Sequence, residues 1–190
     1  MSLARIVSQF SQNRLNGEAV PDDVKALLAN YDEFSERTNV ELNWKKKWAP
    51  WLDTSYLSAA ELANPDISAN VKAMAEVCGL IAFAGAEEDG NYFGYWRGPK
   101  NRAISKSPLV QLDNEGQFYL LAGTTLAEAI LVDKTYDEEQ FAELRDWLRS
   151  IGITIKWQAS DDATYPKEKD QPNELRNTLY HRHLSKKPPR

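Results

Sequence analysis

Leu80-Ile81-Ala82-Phe83-Ala84 and Tyr92-Phe93-Gly94-Tyr95-Trp96, set on either side of Glu87-Glu88-Asp89-Gly90-Asn91, decide the fold class. Short apolar and aromatic runs around an acidic turn with Gly and Asn predict an antiparallel hairpin. The pattern returns in Pro108-Leu109-Val110-Gln111-Leu112 and Gln117-Phe118-Tyr119-Leu120-Leu121, which flank Asp113-Asn114-Glu115-Gly116. A further meander strand is expected between the two hairpins, near Ala103 to Ser105. Ile153-Thr154-Ile155-Lys156-Trp157 alternates apolar and polar residues and predicts a late strand of the same sheet.

The flanking segments read as helices. Leu3, Ile6, Val7 and Phe10 share one helical face. Pro21, Asp22 and Asp23 suit a helix start, and Val24, Leu27, Leu28 and Tyr31 continue that helix until it fades near Glu36. Ser58 and Glu61 have capping-box spacing, and Ile67, Val71, Met74, Ala75 and Cys78 form a stripe that Gly79 can end. Thr125 with Glu128, and Asp137 with Gln140, open two more helices, the second stopping at Gly152. Residues 159–172 are polar and turn-rich. The predicted architecture is α+β: an antiparallel-rich central sheet with helices packed on one side. It is expected to form one domain over residues 1–184, with a solvated tail at 185–190.

With 190 residues, 42% hydrophobic and rich in aromatics, the chain has enough apolar surface for one sizeable core. No apolar run is long enough to cross a bilayer, and no secretory signal is evident at the N-terminus. Cys78 is the single cysteine, so an intramolecular disulfide is excluded and a cytoplasmic location is expected. The net charge of −5 disfavours nucleic acid as a ligand and suits a partner protein with a basic surface.

The order of these pieces resembles the SUKH superfamily, which includes Smi/Knr-type cell-wall regulators and many bacterial toxin-immunity proteins. Val20-Pro21-Asp22-Asp23-Val24-Lys25-Ala26-Leu27-Leu28 is similar to that family's opening helix. Gly79 to Ala84 with Glu88 to Phe93 is similar to its central hairpin, and Pro108 to Gly116 with Leu121-Ala122 and the helix at Thr125 to Leu131 to its closing unit. The likeness spans roughly Val20 to Leu131. It departs from the family pattern at Ala29-Asn30-Tyr31, where Asn-Gly is usual. What the resemblance implies is an α+β domain whose sheet faces a partner and which has no common catalytic residues.

Several residue groups bear on chemistry. Trp44, Trp48 and Trp51, spaced by four and three residues among Lys45, Lys46 and Lys47, would share one helical face. They read as an aromatic patch for a partner or as a cap on the core. Glu87, Glu88 and Asp89 read as a recognition turn for a basic surface or as a solvated hairpin turn. A second acidic group, Asp133, Asp137, Glu138, Glu139, Glu143 and Asp146, falls on a late helix, where acids also suit the N-terminal dipole. His181 and His183 would share a face on a strand, but no third ligand accompanies them. Cys78 reads as a small buried hydrophobe.

No nucleophile elbow, phosphate loop, dinucleotide fingerprint or zinc spacing is present. The expected function is a non-enzymatic protein-binding module of the immunity type, binding and neutralising a cognate toxin. The expected partner-binding residues are Glu87, Glu88, Asp89, Tyr92, Tyr95 and Trp96, with no catalytic residue, cofactor, metal, nucleic acid or membrane involved. The alternatives are a regulatory scaffold using the Trp-rich segment and a hydrolase with a carboxylate pair such as Glu88 and Asp113.

Overall fold

A computed structural model describes residues 1–45, 50–51 and 53–185 of the chain. At its centre five antiparallel strands form a meander in the order of the sequence. They are β1 (Val40–Glu41), β2 (Ile81–Glu87), β3 (Tyr92–Trp96), β4 (Leu109–Leu112) and β5 (Phe118–Leu120). Both predicted hairpins form in this one sheet: Ile81 faces Trp96 and Ala82 faces Tyr95, while Val110 faces Leu120 and Leu112 faces Phe118. The α+β class read from the sequence is the class observed.

Both faces of the sheet are apolar, and helices cover both, not one side as expected. Ala82, Ala84, Phe93, Tyr95 and Leu109 point into a first core. It is filled by α1 (Leu3–Arg14), α2 (Asp22–Ala29), α3 (Tyr31–Thr38), α6 (Leu126–Asp133) and α7 (Glu138–Ser150). Ile81, Phe83, Trp96, Val110, Leu112 and Phe118 point into a second core under α5 (Pro65–Cys78) and α8 (Pro172–Ser185). A small helix, α4 (Ala59–Ala63), leads into α5 and has the predicted Ser58–Glu61 capping box. Alternate residues of a strand face opposite ways, so a sheet apolar at successive positions needs two covers.

The close fit between β2 and β3 depends on Gly94. A Cβ there would lie 2.7 Å from the Ala82 carbonyl oxygen and 2.8 Å from Ile81 Cγ2, beside the register shift between Phe83 and Gly85.

Asp23 links two helices of the first core. Its carboxylate, on the first turn of α2, accepts the Ala127 N–H of α6 at 3.1 Å and lies in the buried interior. Burial raises its pKa, and the backbone N–H groups of Ala127, Val24, Leu126 and Asp23 itself offset this only in part.

Elsewhere the structure departs from the sequence reading for identifiable reasons. The helix expected from Pro21 to Glu36 is broken at Asn30, whose carboxamide donates to the Ala26 carbonyl at 2.9 Å. Pro21 stands just before α2 and not in its first turn. The strand expected near Ala103 to Ser105 is a 3-10 turn at Ile104–Lys106. Residues 153–157 keep the predicted alternation, with Ile153 and Ile155 buried, but belong to no strand. The Arg149 guanidinium donates to the carbonyls of Ile155 and Trp157 at 2.7 and 2.9 Å, satisfying by a side chain what a neighbouring strand would have satisfied.

α8 lies in a segment that the sequence presents as polar. Pro172 and Leu179 are its buried residues, and the Asn173 carboxamide donates to the Phe118 carbonyl at 2.7 Å and accepts the Phe118 N–H at 3.1 Å. That amide closes the outer edge of β5 as a strand would. Of the tail expected at 185–190, Ser185 ends α8 and residues 186–190 lie outside the described residues. Among the described residues no helix is long and apolar enough to cross a membrane.

Two outcomes are expected. Gly94→Ala forces β2 and β3 apart and costs about 1–3 kcal/mol of stability in urea unfolding, with little change in fold. Asp23 has a folded-state pKa above its unfolded value, so its contribution is most favourable when it is protonated. That contribution is lost as pH rises from the ordinary carboxyl range through the raised folded pKa. Urea unfolding across acid to neutral pH should show the wild-type chain gaining stability relative to Asp23→Asn as pH falls through that window. A constant difference between the two would contradict the assignment.

Candidate functional site

The two hairpin turns end up side by side at one end of the sheet. In the first, the Glu87 N–H donates to the Asn91 carbonyl at 2.8 Å and the Gly90 N–H to the Glu87 carbonyl at 3.2 Å. In the second, Asp113 Oδ1 accepts the N–H groups of Glu115 and Gln117 at 3.0 and 2.7 Å, the local bonding that makes Asp a turn residue. The Asn114 carboxamide donates to the Asp89 carbonyl at 3.3 Å and ties the turns together. Gly116 has φ +82, and a Cβ there would approach Trp51 Cζ2 to 3.2 Å, so this turn needs glycine for its backbone and for its neighbour.

Around these turns lies a recess of about 260 Å³ lined by Trp51, Tyr56, Tyr92, Asp53, Asp113 and Asn114, among others. Tyr56 is 65% exposed, and Tyr119 beside Asp113 is 50% exposed. The Asp53 carboxyl is held below its ordinary range by hydrogen bonds from the Ser55 backbone and hydroxyl. The Tyr119 phenol is pushed above its ordinary range by desolvation and by the negative charge of Asp113 and Glu115. Glu88, Asp89 and Glu115 are exposed on the same two turns. The result is an aromatic recess in a field of carboxylates, which suits a cationic or basic ligand surface.

The six sequence-predicted partner residues separate here. Glu88 and Asp89 lie exposed on the first turn, and Tyr92 is half-buried on the wall of the recess, its ring edge-on to Phe83 at 6.2 Å. The other three belong to the interior. Glu87 is the last residue of β2 and not part of an exposed turn; its carboxylate pairs with Lys134 and accepts from the Asn91 carboxamide at 2.7 Å. Tyr95 and Trp96 were expected as surface anchors, yet they are 2% and 0% exposed. Tyr95 points into the first core, where burial and then the nearby Asp23 raise its phenol pKa well above the ordinary value. Trp96 points into the second core and donates its indole N–H to the Asp170 carbonyl at 2.7 Å. A central strand between two helical layers, as β3 is, buries its aromatics on either face.

Burial lowers the Lys134 pKa, but hydrogen bonds and charges from Asp133, at 2.8 Å, and Glu87 outweigh it and hold the ammonium above its ordinary range. The same ammonium lies 5.2 Å from the centre of the Phe93 ring.

The tryptophans do not form the expected helical face. Trp44 packs on the first core, edge-on to Tyr31 at 4.9 Å, whereas Trp51 packs on the second core in a turn with φ +63. Trp48 lies outside the described residues. His181 and His183 lie on α8, not a strand, and two residues apart on a helix point to different sides. His183 bonds Glu76 of α5 at 2.5 Å, and Arg182 bonds the same carboxylate. Of the second acidic group, Asp137 caps α7 by accepting the Gln140 N–H at 2.8 Å, and Asp133 serves Lys134. Cys78 is buried, and desolvation pushes its thiol up to about 12, which keeps it protonated. Among the described residues no group of three or more His, Cys, Asp or Glu is placed to hold a metal ion.

Sequence reasoning passed over Asp53 and Tyr56. The available signal was Asp53-Thr54-Ser55-Tyr56, a polar turn with a large aromatic just before a capping box. No family model, no curated protein and no solved structure matches the chain.

Lys134→Met should cost about 3–5 kcal/mol in urea unfolding, because it leaves the buried Glu87 carboxylate without its cation. Pairing it with Glu87→Gln should recover part of that loss. Glu88→Lys, on the exposed turn, should stay within about 0.5 kcal/mol of wild type.

Proposed function

We propose that this chain is a protein-binding module of the immunity type, which docks the acidic, aromatic end of its sheet onto a basic surface of a toxin partner and acts without turnover. One observation carries the reading: the two hairpin turns are bonded to each other and set Glu88, Asp89, Asp113 and Glu115 around the aromatic recess of Trp51, Tyr56 and Tyr92. Exposed aromatics beside charge of one sign are the make-up of an interface in which the ring anchors and the charge steers. The resemblance of residues 20–131 to the SUKH superfamily supports the same reading, since that family's sheet meets a protein partner. The interface residues are then Glu88, Asp89 and Tyr92, joined by Tyr56, Asp113 and Glu115.

The partner is obtained by affinity purification from the native host and its binding kinetics measured. Glu88→Lys/Asp89→Lys/Glu115→Lys should lower the association rate at least tenfold at low salt and remove most of its salt dependence, with urea unfolding little changed. Tyr56→Ala should instead raise the dissociation rate, as loss of an anchor does. Unaltered kinetics in both folded variants would remove this end of the sheet from the interface.

A further inference from the structure

The opposite end of β3 has the reverse charge. Beyond Trp96 the chain turns through residues 97–102, and the segment 167–170 lies across this turn, enclosing a second recess of about 260 Å³. Its walls bring together Arg97, Lys100, Arg102, Lys167 and Lys169, against Glu168 and Asp170. Five cations converge here in a chain whose net charge is −5.

The walls are fastened to each other. Trp96 Nε1 donates to the Asp170 carbonyl at 2.7 Å, and Arg102 Nη1 donates to both Glu168 carboxylate oxygens at 2.9 Å. Arg97 donates to the Arg102 carbonyl at 2.7 Å and pairs with Glu18 at 2.5 Å. The two guanidiniums are therefore held in place, each with a further N–H to offer. Lys100, Lys167 and Lys169 are exposed, and none has an ionic partner among the described residues. The five cations outnumber the two carboxylates that line the recess, and a bound anion relieves the repulsion that remains among the lysines.

We infer that this recess binds a compact polyanion of the phosphoryl type, its oxygens received by the ammonium groups of Lys100, Lys167 and Lys169 and by Arg97 and Arg102. A single carboxylate offers one charge and two oxygens to three unpaired ammonium groups. A phosphoryl group offers nearly two charges and three acceptor oxygens. Nucleic acid is the less fitting source, because an extended backbone needs a basic surface broader than one recess. The inference is independent of the proposed protein interface, which lies at the other end of the sheet, roughly 15 Å away along β3 at the usual strand rise.

The probe is inorganic pyrophosphate, titrated by calorimetry into the full chain at low ionic strength and set beside acetate, a phosphoserine peptide and a short DNA oligonucleotide. Pyrophosphate should bind in about one-to-one ratio and raise the thermal midpoint, acetate should not, and added salt should weaken the binding. Lys100→Ala/Lys167→Ala/Lys169→Ala should weaken it at least tenfold, and the three Lys→Arg substitutions should restore it. The alanine variant is expected to fold normally because all three side chains are exposed. Tighter binding of pyrophosphate than of the phosphopeptide identifies a free phosphate ligand, the reverse identifies a modified side chain, and either supports the site. No binding of pyrophosphate or phosphopeptide, binding undiminished in the alanine variant, or tighter binding of the oligonucleotide would overturn it.

Discussion

The sheet is apolar on both faces, and the rest of the structure follows from having to cover it twice. β2 is buried along nearly all its length, with Ala82 and Ala84 toward one core and Ile81 and Phe83 toward the other. Ala82 and Ala84 share the first core with the larger Phe93 and Tyr95, and Phe83 and Trp96 fill the space beneath α5 and α8. One helical layer would have left Ile81, Phe83, Trp96, Val110 and Leu112 in water, an apolar patch that an isolated chain does not sustain. The C-terminal residues therefore return across the second face. Their grip is mainly polar: Asn173 on the edge of β5, Arg176 on the Gly116 carbonyl at 2.8 Å, Tyr180 on Asp66 at 2.8 Å, and Glu76 between Arg182 and His183.

That polar grip explains which elements were legible. The two hairpins were readable because each combines a short apolar run with a turn whose residues have only one comfortable backbone arrangement. The caps at Ser58, Thr125 and Asp137 were readable for the same local reason. α8 was not, because its contribution to the core is chiefly Leu179 and its other bonds reach residues more than fifty positions away. No periodicity records such partners. Residues 153–157 misled in the opposite sense. Their alternation reports burial correctly, with Ile153 and Ile155 inward, but burial on one side does not make a strand when Arg149 takes the carbonyls.

The candidate site shows the same division. Glu88 and Asp89 were found from turn chemistry, which is local. Tyr95 and Trp96 were assigned to a surface because the sheet was expected to have one open face, and the second helical layer removes that premise. Glu87 differs from Glu88 by a single position, yet strand alternation and the end of the ladder put one carboxylate in the interior beside Lys134 and the other in solvent. Asp53 and Tyr56 join the site through tertiary packing around Trp51, and sequence spacing does not encode that approach.

Net charge also conceals how this molecule presents itself. The −5 of the whole chain hides two opposed ends, carboxylates and aromatic rings at the hairpin turns and five cations around residues 97–102 and 167–170. The meander produces this separation mechanically. Antiparallel strands in sequence order send the β2–β3 and β4–β5 turns to one end and the β3–β4 connection to the other, so the composition of each loop becomes the charge of one pole. At physiological salt the screening length is about 8 Å, shorter than the roughly 15 Å that β3 spans at the usual strand rise. A ligand approaching either end therefore meets the local sign of charge and little of the opposite pole. The average acidity that disfavours nucleic acid for the chain as a whole thus does not decide what its basic end can hold.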